Sequence, residues 1–206
     1  MQSIGAADSG KTAEAISGRA TGVLFFAGFG SWWLLNGISA MHRLNPVSLA
    51  AIATICAALA VPAAMLLRST SRAFEANGAG ERDSPEARRA FRRVNLTQWA
   101  AIVAAIALFN AIHKQEFLTT AITFIVGAHL IPLARVFRYP AHTATGTLLM
   151  AWATLIAVAF PAEIMPSVGA LGTASILLGS AACTLAGARR AARSGFAANR
   201  LHRAGA

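Results

Sequence analysis

The stretch RRAFRRVNLTQWAAIVAAIALFNAI, residues 88 to 112, places Arg88, Arg89, Arg92 and Arg93 directly before a run, Val94–Ile112, that holds no charged residue. About 20 apolar residues in a helix cross the hydrocarbon core of a bilayer. There the backbone must satisfy its own hydrogen bonds, which leaves helices or closed barrels. The run is continuous and not alternating, so it predicts a helix. The four arginines form two i,i+4 pairs at the level of the lipid headgroups, a collar that fixes the depth of the span.

Five further runs of the same kind flank it: Ala20–Met41, Val47–Leu67, Phe117–Phe137, Thr143–Phe160 and Ser167–Ala188. Six such runs predict an all-α polytopic membrane protein, a bundle of six transmembrane helices. Composition agrees, since 56% of the 206 residues are hydrophobic and 13% charged, against roughly half and a quarter in soluble domains.

The formal net charge of +10 could draw nucleic acid, but the positions of the basic residues argue for topology. With the amino terminus inside, sixteen of the eighteen Lys and Arg residues fall on the cytoplasmic side, and only Arg43 and Lys114 on the outer side. That asymmetry predicts an even number of spans with both termini cytoplasmic. It also predicts the lipid bilayer, not nucleic acid, as the partner of the basic excess. Abundant Ala, Gly and Arg suggest a bacterial inner membrane. Cys56 and Cys183 fall inside the second and sixth spans, where a thiol acts as a small packing group.

Three regions follow: a flexible cytoplasmic tail over 1–17, a transmembrane domain over 18–188 and a basic cytoplasmic tail over 189–206. The tail contains Gly5, Gly10, Lys11 and Thr12 at phosphate-loop spacing. That chemistry needs a preceding strand and a following helix, and only four residues precede Gly5. The longest loop, about 68–93, carries Asn77, Gly78 and Gly80, then Ser84, Pro85 and Glu86, a good helix start. The third helix is therefore expected to begin before the membrane.

Two hairpins share features. Val61-Pro62-Ala63-Ala64-Met65-Leu66-Leu67-Arg68 lines up with Ile131-Pro132-Leu133-Ala134-Arg135-Val136-Phe137-Arg138, and Leu34-Leu35-Asn36-Gly37-Ile38 with Leu108-Phe109-Asn110-Ala111-Ile112. The third hairpin shows no such pair, so three same-direction hairpins stand as a hypothesis. In the sixth span Ser175, Gly179, Cys183 and Gly187 recur every four residues, a small-residue ridge of the sort through which membrane helices associate. It would serve helix packing within the chain or a homo-oligomer contact, and packing is the favoured reading.

Ionisable groups inside a membrane are costly and become functional candidates. His129, in the fourth span, is the clear case. Its imidazole could shuttle a proton, and Pro132 frees a carbonyl one turn earlier; the plainer account is a hydrogen bond that specifies packing. Asn36 and Asn110, in the outer thirds of the first and third helices, could line a shallow pocket walled by Trp32 and Trp33. His113, Lys114 and Glu116 read as a solvated turn. His42, His113, His129 and His142 lie in separate segments without metal-ligand spacing, and no acid lies beside His129 to build a catalytic relay. The expectations are no enzyme, no metal and no cofactor.

Gly127-Ala128-His129-Leu130-Ile131-Pro132-Leu133-Ala134-Arg135-Val136-Phe137-Arg138-Tyr139-Pro140, followed by Thr145-Gly146, resembles a motif of small uncharacterised bacterial six-helix integral membrane proteins. The resemblance covers less than a fifth of the chain. It implies the span count and interest in His129 and Pro132, and no activity. On the residues alone, the first expectation is a small permease or transport-related protein handling a small-molecule substrate near Asn36, Asn110 and His129. A non-transporting interaction or organising protein is the alternative, and an intramembrane enzyme comes third.

Overall fold

The computed structural model describes the backbone of residues 2–75, 85–136 and 139–204, and side-chain surroundings chiefly over 16–69, 85–135 and 139–194. The turn residues Asn77, Gly78, Gly80 and Ser84 lie outside the described residues. Six α-helices follow one another: α1 Gln2–Ala40, α2 Pro46–Glu75, α3 Pro85–Ala111, α4 Leu118–Val136, α5 Ala141–Ala159 and α6 Met165–Ala204, with a short 3-10 turn, Gln115–Phe117, before α4. Each is long and apolar enough to span a membrane. The chain is a polytopic, all-α membrane protein.

Two boundaries differ from expectation. The helix expected from Ala20 starts at Gln2, and that expected to end near Ala188 runs to Ala204. Hydropathy marks where the bilayer is, while a helix continues wherever propensity permits, and neither extension contains a proline. The phosphate-loop spacing at Gly5–Thr12 therefore sits inside α1 and not in a strand-to-helix turn.

Sequence neighbours form hairpins, α1 on α2, α3 on α4 and α5 on α6, but the most extensive association joins different hairpins, α1 on α6, and α4 lies more on α5 than on its own hairpin partner α3. α1 and α6 pair antiparallel, with facing numbers that sum to 208. Leu178 fills the space where a Cβ on Gly30 would stand, 2.7 Å away, and Leu171 does the same at Gly37. Buried Ile16, Ala20, Val23, Ala27, Gly30 and Gly37 recur on α1 at heptad spacing, and Ala170, Ala174, Leu177, Ala181 and Ala188 on α6. Small residues three and four apart keep two gently supercoiled helices in contact along their length.

α6 is the most buried span and α3 the least, with none of its apolar window buried. α3 rests on α4 and the short turn before it. The helices thus run in an arc, from α2 through α1 and α6 to α5 and α4, with α3 at the far edge.

The first two hairpins share more than the asparagines and prolines. His42 and His113 both adopt a left-handed backbone, each with φ of 54°. The His42 amide donates to Ser39 O and the Arg43 amide to Ile38 O; the His113 amide donates to Asn110 O and the Lys114 amide to Phe109 O. These are matched Schellman caps, closed in each case by His followed by a basic residue. α5 ends otherwise, with Phe160 extended. The likeness covers two hairpins, not three.

Candidate functional site

The polar residues singled out in the sequence are not gathered in one place. Asn36 Nδ2 donates to Trp32 O at 2.7 Å and Asn110 Nδ2 to Ile106 O at 2.8 Å, each within its own helix. Both are exposed near the end of the bundle away from the arginines. Gln115 donates to Asn110 Oδ1 at 3.3 Å. Trp33 belongs to the core and Trp32 faces outward, so the two indoles do not wall a common pocket. His129 lies towards the other end, hydrogen-bonded to the backbone of Val94, the residue that follows the collar arginine Arg93. Its Nδ1 is buried without a hydrogen-bond partner among the described residues. Pro132 lies within α4, one turn beyond His129.

Among the described residues, the small-residue ridge of α6 does not pack inside the chain. Ser175, Gly179 and Cys183 are exposed, and a Cβ at Gly179 or Gly187 would meet nothing within 4 Å. Residues spaced strictly by four turn 40° around the helix at each step, so such a row leaves the face that the heptad row keeps against α1.

The inward side of α6 carries a feature that hydropathy hides, a ladder of hydrogen bonds to α4 and α5. Thr173 Oγ1 donates to Gly169 O at 2.7 Å and lies 2.8 Å from Thr123 Oγ1 in α4. Since a hydroxyl has one proton, Thr123 is the donor between them. Trp152 Nε1 in α5 also donates to Gly169 O, at 3.2 Å. Thr145 Oγ1 in α5 lies 2.9 Å from Ser180 Oγ and 3.0 Å from Ala141 O, with one proton to serve the two, and Tyr139 OH donates to Thr184 Oγ1 at 3.3 Å. Gly169 to Thr184 is fifteen residues, about 22 Å of helix, most of the hydrocarbon thickness.

The ladder ends, at the arginine-rich end, in a cluster from three elements. The Tyr139 ring meets His142 edge-on, with centroids 5.1 Å apart, and Phe26 of α1 meets the same imidazole at 5.3 Å. The Arg19 guanidinium lies over the Tyr139 ring at 5.7 Å from its centroid, cation–π distance. His142 is buried. Gly22 of α1 lies beside it, where a Cβ would stand in ordinary contact, 3.6 Å from the imidazole. The sequence carries this cluster as Tyr139, Pro140 and His142 with no spacing rule to bring Arg19 to it; the α1–α6 pairing does that.

An apolar hollow of about 260 Å³ lies between α3, α4 and α5, lined by Phe109, Phe117, Thr120 and Phe124 among others. Lys114 pairs with Glu116 at 3.5 Å in the exposed turn nearby. Among the described residues no three His, Cys, Asp or Glu side chains are grouped to hold a metal ion. No family pattern, curated protein or solved structure matches the chain.

Proposed function

We propose that the protein is a non-transporting, non-catalytic membrane-organising protein of the bacterial inner membrane that assembles through the outward face of α6. Its arginine-rich end faces the cytoplasm, as the positive-inside asymmetry implies. One contrast carries this reading. The glycines of α1 that face α6, Gly30 and Gly37, are filled by leucines to 2.7 Å, whereas Gly179 and Gly187 meet nothing. Glycine weakens a helix relative to alanine by about 1 kcal/mol in water, so unfilled glycines in a row with Ser175 and Cys183 fit a surface that a second chain approaches closely.

Two copies inserted with the same topology would meet with parallel α6 helices and bring their Cys183 thiols together. In native membranes, mild oxidation should give a disulfide-linked dimer in the wild type and in Cys56→Ser, none in Cys183→Ser, and a weaker band in Gly179→Leu. A dimer that persists in Cys183→Ser, or a strict monomer by native mass spectrometry in mild detergent, would refute the assignment.

A second reading, a small permease, is supported by the hydroxyl ladder on α6, which would line a route for a small polar solute if α4 and α5 moved off it. Solute uptake into liposomes that is abolished by Thr123→Val with Ser180→Ala, and not by Gly179→Leu, would favour the permease over the organising protein.

A further inference from the structure

α3 and α5 both rest on α4 and do not pack extensively on one another, and the hollow of about 260 Å³ opens between them. Its lining couples small side chains, Ala121, Ala153 and Ala157, with the large ones of Phe109, Phe117 and Phe124. The Phe109 and Phe117 rings stack with centroids 6.3 Å apart. The two threonines of the lining use their hydroxyls elsewhere. Thr154 Oγ1 donates to Met150 O of its own helix at 2.9 Å, and Thr120 Oγ1 lies towards α6, 3.9 Å from where a Cβ on Gly169 would stand. A space so lined offers nothing to a polar solute, and apolar cavities stay dry. Left unfilled in a bilayer, it would forfeit dispersion contacts along its whole lining, which an alkyl chain restores.

The turn before α4 adds charge to this apolar space. Phe117 lines the hollow, its amide donates to Lys114 O at 3.1 Å, and the Lys114 amide donates to Phe109 O at 2.8 Å. Lys114 is thus bonded through its backbone to two residues of the lining, and Glu116 precedes one of them. Lys114 Nζ and Glu116 Oε1 are 3.5 Å apart, with the lysine side chain exposed and the glutamate partly so. An exposed ion pair contributes little by itself, so each partner can turn to a ligand group of opposite charge. A phosphate joined to a primary ammonium supplies both, the phosphate for Lys114 and the ammonium for Glu116.

We propose that the hollow binds a phospholipid of the leaflet opposite the arginine-rich end, with one acyl chain between α3 and α5 and a phosphoethanolamine headgroup on Lys114 and Glu116. The chain passes from one apolar medium to another, so the choice among lipids falls to the headgroup. A bound chain also gives α3 a neighbour besides α4. No residue of α6 lines the hollow, and the site depends on neither reading given under the proposed function.

The test uses the purified full chain in mild detergent, with phosphatidylethanolamine and phosphatidylglycerol as probes and native mass spectrometry as the first readout. Phosphatidylethanolamine should be retained severalfold more than phosphatidylglycerol. Ala157→Leu and Ala121→Leu, which fill the hollow, should each lower its retention severalfold. Ala151→Leu, on α5 but outside the lining, should leave it unchanged. Ala157 is exposed, so that variant answers alone if Ala121→Leu does not fold. Glu116→Gln should bring the two lipids to equal retention. The second readout is amide exchange over 100–111 of α3, which phosphatidylethanolamine should slow in the wild type and not in Ala157→Leu. Equal retention in wild type and Ala157→Leu would overturn the site, and so would a self-association that Ala157→Leu abolishes, since a second chain would then be the occupant. Equal retention of the two lipids by the wild type would overturn the headgroup assignment.

Discussion

Gly127 of α4 and Gly146 of α5 face each other so closely that a Cβ built on Gly146 would stand 2.5 Å from the Gly127 carbonyl oxygen, and one on Gly127 would stand 2.7 Å from the carbonyl oxygen of Gly146. The obstruction is backbone on both sides, which no rotamer change relieves. Gly146→Ala must push α5 off α4, and overpacking of this kind costs about 1–3 kcal/mol. Gly28, which faces open space, is the control: Gly28→Ala should leave stability unchanged or raise it by under ~1 kcal/mol. Unfolding in mixed micelles, with both variants against wild type, measures the difference. Equal stability of Gly146→Ala and Gly28→Ala would mean that the helices do not touch there.

The Thr123–Thr173 pair is the buried rung of the ladder. In lipid the alternative partner for either hydroxyl is a carbonyl of its own helix, so interhelical bonds of this kind average only about 0.6 kcal/mol. Thr123→Val and Thr173→Val should each destabilise the protein modestly, and the double variant by less than their sum. Thr173→Val should cost more, because it also removes the bond to Gly169 O. A double-mutant cycle with no coupling would show that the two hydroxyls bond elsewhere.

The span count was legible because runs such as Val94–Ile112 need no knowledge of their neighbours to be read. Helix neighbours were not legible. Lipid and protein interior are both apolar, so Leu96, which is exposed, and Leu130, which is buried, look alike in sequence. Ser175, Gly179, Cys183 and Gly187 drew attention by their regular spacing, yet the packed face of α6 uses Ala170, Ala174, Ala181 and Ala188. The signal that would have found it is the alternation of four and three, matched by Ala20, Val23, Ala27 and Gly30 on α1. Thr123, Thr145 and Thr173 were invisible for another reason: a threonine in a membrane helix is content with the carbonyl four residues back, and only the fold shows which ones reach across.

The two left-handed histidines give a test of the shared hairpin caps. An L-residue in that conformation costs roughly 1–2 kcal/mol relative to glycine. His113→Gly should therefore raise stability or leave it level, and His113→Val, β-branched and ill suited to positive φ, should lower it. His42 should repeat the pattern, since its backbone bonds are the same. Melting temperatures of the four variants decide the matter; opposite rankings at the two sites would break the correspondence between the first and second hairpins.

His129 links α4 to the otherwise loosely held α3 through the backbone of Val94. Because no residue of the α3 window is buried, the few contacts that tie it to α4 determine how often it separates. His129→Leu keeps the bulk and removes the hydrogen bond, a loss of about 1 kcal/mol. It should speed amide exchange over 94–111 severalfold while leaving α1 and α6, held by their own heptad seam, unchanged. His129→Gln, which can still donate to the same backbone, should restore much of the protection. If exchange rises equally in all six helices the histidine is a general packing residue. If it does not rise at all, the imidazole is not what holds α3 to the bundle.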